Sequence, residues 1–472
     1  MNKKWLSLGC AAVLCLGLAA CGAPVPGGNG DAGASSPVSR ADAASSEDGA
    51  AASESTLTVT GKKTGTTTAR STADRTTRYS APQPVNRMTS GFANGYGAFA
   101  LRLIQQTQRT GQNGFVSPAS VYLALAMTAN GAAGNTQEQM LSLLGAKDAA
   151  ALNKGSRDLQ SLLAGGYQLA NGIWLNQAFT SEVQPAFLKA NDTYFHAGVE
   201  RIAFSNDAIP GINGWVADKT AGRITDLVKP PLSSDDLMLL INTLLYEGKW
   251  EEPFLLRSTS DGVFHGPEGN RSLPMMAQTL SNAVWYEDDA IEATRLPFAD
   301  HRTAMVLVLP KKTGAAALTE WIARLKPADL CELIAAEGRC DRLHLTLPRF
   351  TVSYKENLKD TLVKLGMTDA FDSLAADFSR MVKPTGSLRP YIDIVQHNTA
   401  LEVSEAGVLA AAATDVEMKA GAARPNSLEE HTLRLDRPFF CALVDEPTGA
   451  VIFGGAVCLP EALETETGEL SN

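Results

Sequence analysis

The chain predicts an α+β fold, and three observations carry that prediction. Apolar residues recur at helical spacing in the first ordered stretch after Pro84, continuous apolar runs typical of strands dominate from Tyr167 onward, and two apolar runs joined by a Pro/Gly turn close the chain. Helices come first and strands later, without the regular strand-helix alternation of a parallel α/β sheet.

Taken in order, Phe92, Tyr96, Phe99, Leu103 and Ile104 predict a first amphipathic helix. Ser117 is suited to cap the next helix, with Pro118 in its first turn. Asn135, followed by Glu138, predicts a third helix ending near Leu144. Strands are expected at Tyr167 to Leu175 and Met238 to Tyr246; the second is nearly all apolar, which suits a central strand buried on both faces. Ala304 to Pro310 and Leu343 to Leu347 add two more, with helical stretches expected at Pro210 to Thr220 and Lys355 to Leu365. Phe439 to Leu443 and Val451 to Val457 read as a hairpin over Asp445-Glu446-Pro447-Thr448-Gly449.

One stretch fits two environments. From Glu402 to Ala423 the chain reads EVSEAGVLAAAATDVEMKAGAA, and from Val408 every second residue is small or apolar: Val408, Ala410, Ala412, Thr414, Val416, Met418. The interleaved set runs Leu409, Ala411, Ala413, Asp415, Glu417, Lys419 and is charged in its later half, the period of two of a half-buried strand. Alanines at 410–413 favour helix, so local propensity and alternation disagree there, and such conflicts mark function. Small side chains on both faces suit a segment that slides between two existing strands.

The first residues carry an address. Lys3 and Lys4 precede an apolar run from Trp5 to Leu18 and then Leu18-Ala19-Ala20-Cys21, the layout of a secretory signal and too short for a membrane-spanning helix. Leu-Ala-Ala-Cys resembles the bacterial lipobox, which implies cleavage before Cys21, acylation of its sulfur and a lipid anchor in a bacterial membrane, facing the cell exterior. Residues 1–20 are thus expected as a lipoprotein signal peptide and 21–88 as a tether, rich in Ala, Ser, Thr, Gly and Pro. Gly28-Asn29-Gly30-Asp31-Ala32-Gly33 matches GxGxxG, but neither strand nor helix flanks it, so no dinucleotide site is expected. One domain follows over 89–460, with a tail at 461–472.

With Cys10 and Cys15 in the signal and Cys21 acylated, Cys331, Cys340, Cys441 and Cys458 remain, in no metal-like spacing. Export permits disulfides, and Cys331 with Cys340 could close a small loop; free buried thiols are the alternative. The formal net charge of -10 argues against nucleic acid as a partner. The chain has no GxSxG, HExxH or CxxC and only 6 histidines, none beside a motif that would supply a nucleophile or a metal, so neither enzyme activity nor a cofactor is expected.

Ordered runs over nearly all of Thr89 to Pro460 resemble the serpin family. They are Phe115-Val116-Ser117-Pro118-Ala119-Ser120, Ile212-Asn213-Gly214-Trp215-Val216 and Thr220-Ala221-Gly222-Arg223-Ile224, then Ile241-Asn242-Thr243-Leu244-Leu245-Tyr246-Glu247-Gly248-Lys249-Trp250 and Val263-Phe264-His265. Leu273-Pro274-Met275-Met276, Leu347-Pro348-Arg349-Phe350, Leu365-Gly366-Met367 and Leu435-Asp436-Arg437-Pro438-Phe439-Phe440 complete them. The resemblance implies three sheets, about nine helices and an exposed reactive-centre loop. It implies a monomer that inhibits a serine protease by suicide: the enzyme attacks the loop, forms an acyl-enzyme, and is dragged along as the loop inserts into the main sheet.

By the same resemblance Gly407 is the hinge glycine, Ala410, Ala411, Ala412 and Ala413 with Thr414 form the small hinge, and Ser117, Ser120, Asn242 and His397 are the shutter beneath the sheet. Trp250 matches the tryptophan where insertion begins. The family usually carries a small polar residue and then an acidic one after the glycine; here they are Val408 and Leu409. Fourteen residues beyond Gly407 lies Gly421, followed by Ala422, a bond suited to elastase-like or subtilisin-like enzymes with small primary pockets. Lys419 or Arg424 would instead suit trypsin-like enzymes, and Met418 is a further alternative. A serpin that binds as a carrier without inhibiting is the rival; the small hinge opposes it.

Overall fold

The computed structural model describes residues 10–22 and 90–463, apart from 165, 315, 384–387 and 409–428. The chain forms β1 (Cys10–Gly22), then four helices, α1 (Ser90–Thr107), α2 (Pro118–Ala129), α3 (Gly134–Leu143) and α4 (Ala149–Leu163). Next come β2 (Tyr167–Asn176), α5 (Pro185–Phe195), β3 (Gly198–Ile202), α6 (Ile209–Lys219), β4 (Asp236–Tyr246) and β5 (Gly248–Lys249). Strands β6 (Thr259–Gly266), β7 (Gly269–Val284), β8 (Tyr286–Glu287), β9 (Ile291–Pro297) and β10 (Thr303–Pro310) precede α7 (Ala317–Arg324) and α8 (Pro327–Ile334). Then follow β11 (Arg339–Pro348), β12 (Phe350–Asn357), α9 (Lys359–Lys364), β13 (Leu388–Val403) and β14 (Gly407–Val408). The chain ends with β15 (Glu430–Arg434), β16 (Phe439–Asp445), β17 (Ala450–Val457) and β18 (Glu461–Ala462).

Three main sheets and a two-stranded ribbon result. The seven-stranded sheet has the order β18-β12-β13-β1-β4-β2-β3, the five-stranded sheet β17-β16-β10-β9-β8 and the four-stranded sheet β15-β11-β7-β6, while β14 pairs with β5. The arrangement is α+β, with nine α-helices among the described residues. None of these helices is long and apolar enough to cross a membrane.

Helix α2 explains where the core sits. Every residue of PASVYLALAMTA is buried, so the helix has no wet face and must lie inside the fold, against the main sheet. Its start follows the expected chemistry: the Ser117 side chain accepts from the Ser120 amide at 3.2 Å and Pro118 needs no partner in the first turn. Tyr122 packs edge-on against Tyr96 and Phe99 of α1, both at 5.4 Å, and their hydroxyls are satisfied: Tyr96 donates to the Val451 carbonyl and Tyr122 to that of Leu144. The opposite face of the main sheet is covered by α6, whose Trp215 meets Trp174 of β2 edge-on at 4.7 Å.

One expectation needs correcting. Lys355 to Leu365 is not one helix: β12 runs to Asn357, with Phe350, Val352 and Tyr354 buried at period two and paired to β13, and only Lys359–Lys364 is helical. Pairing to a central strand overrides the helix preference of Lys355 and Glu356. The helix expected from Asn135 is α3, which begins one residue earlier at Gly134, and the Asn135 side-chain Nδ2 donates to the Asp369 carboxylate at 2.6 Å. The other predicted elements appear within one to five residues at each end, and β4 is buried throughout beyond Asp236, as its apolar run requires.

The first strand is the unforeseen one. The segment expected as a leader lies in the main sheet, antiparallel to both β13 and β4. Leu14, Leu16 and Leu18 are fully buried in the main core, a period of two in the middle of the apolar run. Three buried leucines contribute roughly 5 to 9 kcal/mol as an upper estimate.

Candidate functional site

Above the main sheet, the backbone turns sharply where β13 ends. The Ser404 amide donates to the Gly407 carbonyl at 3.0 Å and the Gly407 amide donates back at 3.2 Å, closing a four-residue turn. Gly407 adopts φ +141°, and a Cβ there would meet the Gly248 carbonyl oxygen at 2.1 Å, so both torsion and space require glycine. Val408, fully buried, pairs with Gly248.

Trp250 fastens this turn. Its indole Nε1 donates to the Ser404 carbonyl at 2.9 Å, its backbone amide donates to Ala406 at 3.1 Å, and its ring stacks on Phe298 at 4.5 Å. The carboxylate of Glu405 enters the protein, where it accepts from Arg349 Nη1 at 3.2 Å and from Thr259 Oγ1 at 2.8 Å. Both charged side chains are only 12% exposed, so each depends on the other. Glu405, Thr259 and Ser404 escaped the sequence reading, which used Arg349 only as part of a run; a charge wedged between Ser404 and the hinge glycine was the available signal.

Below the middle of the sheet lies the polar cluster. His397 Nε2 accepts from the Ser117 amide at 3.1 Å, and the Ser117 hydroxyl donates to the Ile452 carbonyl at 2.9 Å. Asn242 Nδ2 donates to Asn171 Oδ1 at 2.8 Å, and Asn171 in turn donates to the Phe195 carbonyl. The four expected shutter residues are all buried, but β1 separates Asn242 from His397: Leu14 stands opposite both. Asn242 Oδ1 and Ser120 Oγ are buried without a hydrogen-bond partner among the described residues. Asn171, absent from the expectations, belongs to this cluster.

The expected hinge residues Ala410, Ala411, Ala412, Ala413 and Thr414, the expected bond Gly421 to Ala422 and the alternatives Met418, Lys419 and Arg424 lie outside the described residues, as does the GxGxxG match. Cys21 falls in β1, opposite Arg389. All four remaining cysteines are free, Cys331 exposed and Cys340, Cys441 and Cys458 buried, so no loop is closed between Cys331 and Cys340.

The main sheet carries β1 between β13 and β4 at its centre, with a glycine turn pinned above it and a polar cluster beneath it. The family model described as Serpin (serine protease inhibitor) matches residues 94–460, and the chain belongs to the serpin family. Serine protease inhibitor 42Dd of Drosophila melanogaster is 31% identical over 74% of this chain and 92% of that protein. Leukocyte elastase inhibitor A of Mus musculus is 29% identical over 77% of this chain and 97% of its own length. Among solved structures, the thermophilic serpin tengpin in its native state aligns with a TM-score of 0.69 at 28% identity, over 79% of this chain and 95% of tengpin.

Proposed function

We propose that this protein is a suicide-substrate inhibitor of serine proteases with small primary pockets, attacked at Gly421 to Ala422, that traps the acyl-enzyme by inserting its loop between β13 and β4. One observation carries the reading: the space between β13 and β4, the slot, takes a strand antiparallel to both neighbours, and the Ser404 to Gly407 turn that precedes the loop stands at the end of β13. Continuing the Ser404 to Gly407 pairing residue by residue gives Leu401 opposite Ala410, His397 opposite Thr414 and Val395 opposite Val416. Those are the partners that Cys10, Leu14 and Leu16 have now.

The side-chain parity agrees. Leu14 and Leu16 face the core, so an inserted loop in this register would bury Ala410, Ala412, Thr414 and Val416. Leu409, in the place where the family usually has an acidic residue, would fall opposite Glu402, which pairs with Arg223 at 3.7 Å. Insertion of about 15 residues at 3.3 Å each would carry the protease roughly 50 Å. In the closed sheet, with no strand between them, Asn242 would face His397 and could regain a partner for its oxygen, so the cluster would act as the latch.

Glycine flanked by alanines fits an elastase-type pocket, consistent with the name borne by the mouse relative. The run Leu18-Ala19-Ala20-Cys21 supports export and a lipid anchor, with the inhibitor acting as a monomer at a cell surface.

The test is to mix the processed protein, without residues 1–20, with neutrophil-type elastase and with trypsin, run denaturing gels and read the cleaved bond by mass. A denaturant-resistant complex with cleavage between Gly421 and Ala422 supports the proposal. A complex cleaved after Lys419 or Arg424 moves the target to trypsin-like enzymes. Cleavage without complex by both enzymes favours a binding serpin that does not inhibit.

A further inference from the structure

Two segments of this chain have the same seat. The strand Cys10–Gly22 pairs with β13 along its whole length and with β4 from Cys10 to Ala19, in the direction and register that the reactive loop would need. Its Leu14, Leu16 and Leu18 fill the core side of the slot, and Leu14 holds the latch residues Asn242 and His397 apart. An export signal needs only an apolar run. Leucines at every second position, with Cys15 and Gly17 between them, are what a half-inserted strand needs as well.

We propose that the leader is a blocking strand: while residues 1–20 remain attached, they hold the main sheet filled, and the reactive loop has nowhere to insert. Hydrolysis of the Ala20 to Cys21 bond, water giving the Ala20 carboxylate and the free Cys21 amine, then releases all of β1 but its last two residues. The inhibitor is thereby silent until it is exported. The proposal rests on the loop-insertion reading above, and its test separates the two.

The full chain with Cys21→Ser, which blocks processing, is compared with the same chain carrying Leu14→Asp and Leu16→Asp. Three readouts are taken: disulfide formation between Cys15 and a Gln396→Cys substitution directly opposite it, the change in melting temperature after the loop is nicked, and complex formation with elastase. Occupancy of the slot predicts a mapped disulfide in the leader-intact chain and its loss with the two aspartates. It also predicts that nicking leaves the melting temperature of the leader-intact chain unchanged, raises that of the aspartate variant by ten degrees or more, and permits complex formation only in the variant. A synthetic peptide of residues 10–22, with serine for cysteine, should suppress the variant's rise.

No disulfide, or an equal rise in both chains, overturns the blocking strand while leaving inhibition intact. A disulfide in the leader-intact chain with no rise in either chain supports occupancy by the leader and instead refutes loop insertion.

Discussion

Replacing Ala412 with arginine puts the insertion mechanism under a direct load. In the register continued from the hinge, Ala412 takes the place of Ala12, between Thr399 and Leu244, which are 2% and 0% exposed. No carboxylate lines that position on either strand. Taking an unpaired guanidinium into such a site costs several kcal/mol even after local relaxation. If about 3 kcal/mol of that appears in the barrier to insertion, the step slows roughly 150-fold, since 1.36 kcal/mol is a factor of ten in rate. Hydrolysis of the acyl-enzyme is untouched, so the variant should be turned over as a substrate. The ratio of turnover to trapping should rise by the same roughly 150-fold, so a parent that consumes about 1.1 inhibitor molecules per elastase inactivated would give a variant that consumes about 16. The control is Glu417→Arg, which in the same register falls opposite Ile394 on the wet face, where a side chain is 38% exposed and a charge already sits. That variant should inhibit as well as the parent. Equal stoichiometry for Ala412→Arg and the parent would refute strand insertion as the trapping step.

Three further outcomes are expected. Arg349→Met leaves the mostly buried Glu405 carboxylate without its cation and should cost about 3 to 5 kcal/mol, read as a lowered denaturant midpoint; adding Glu405→Gln should recover part of it, and a single variant as stable as the parent would show that the pair does not hold the hinge turn. Burial pushes the Cys458 thiol up to about 12 and the Cys441 thiol up as well, and it raises Tyr96 and Tyr122 in the same direction. Thiols ionise near 8.5 and phenols near 10 in the unfolded chain, so the unfolded state loses protons first. Stability from these groups is complete below about pH 8.5 and is lost as pH rises toward 12; denaturant midpoints at pH 7 and pH 10 should show the fall. A thiol alkylating reagent at neutral pH should accordingly mark the exposed Cys331 and spare Cys340, Cys441 and Cys458.

What was legible in the sequence was whatever depends on local pattern. The Ser117-Pro118 start of α2, the all-apolar β4 and the closing hairpin each follow from a few adjacent residues, and each is found where those residues put it. Residues whose role is set by a distant partner were less visible. Glu405 reads as one more charge until Arg349 and Thr259 are brought to it, and Asn171 reads as a strand asparagine until Asn242 stands beside it. The Lys355 to Leu365 error is the same effect reversed, since β13 supplies a ladder that helix propensity cannot foresee.

The segment expected as a leader is the instructive case, because its sequence fits two requirements at once. Export asks for a short run of apolar residues and is indifferent to their phase. A strand in the centre of a sheet asks for phase, because a slip of one residue would turn its buried set to the opposite face. Leu14, Leu16 and Leu18 meet the first demand by composition and the second by spacing, and a reading that stops at composition sees only the first. The proposed reactive loop would meet the same second demand with alanine, threonine and valine, smaller side chains that bury less apolar surface in the same seat. That difference in size is why the leucine-bearing strand, while it is present, should hold the slot against the loop.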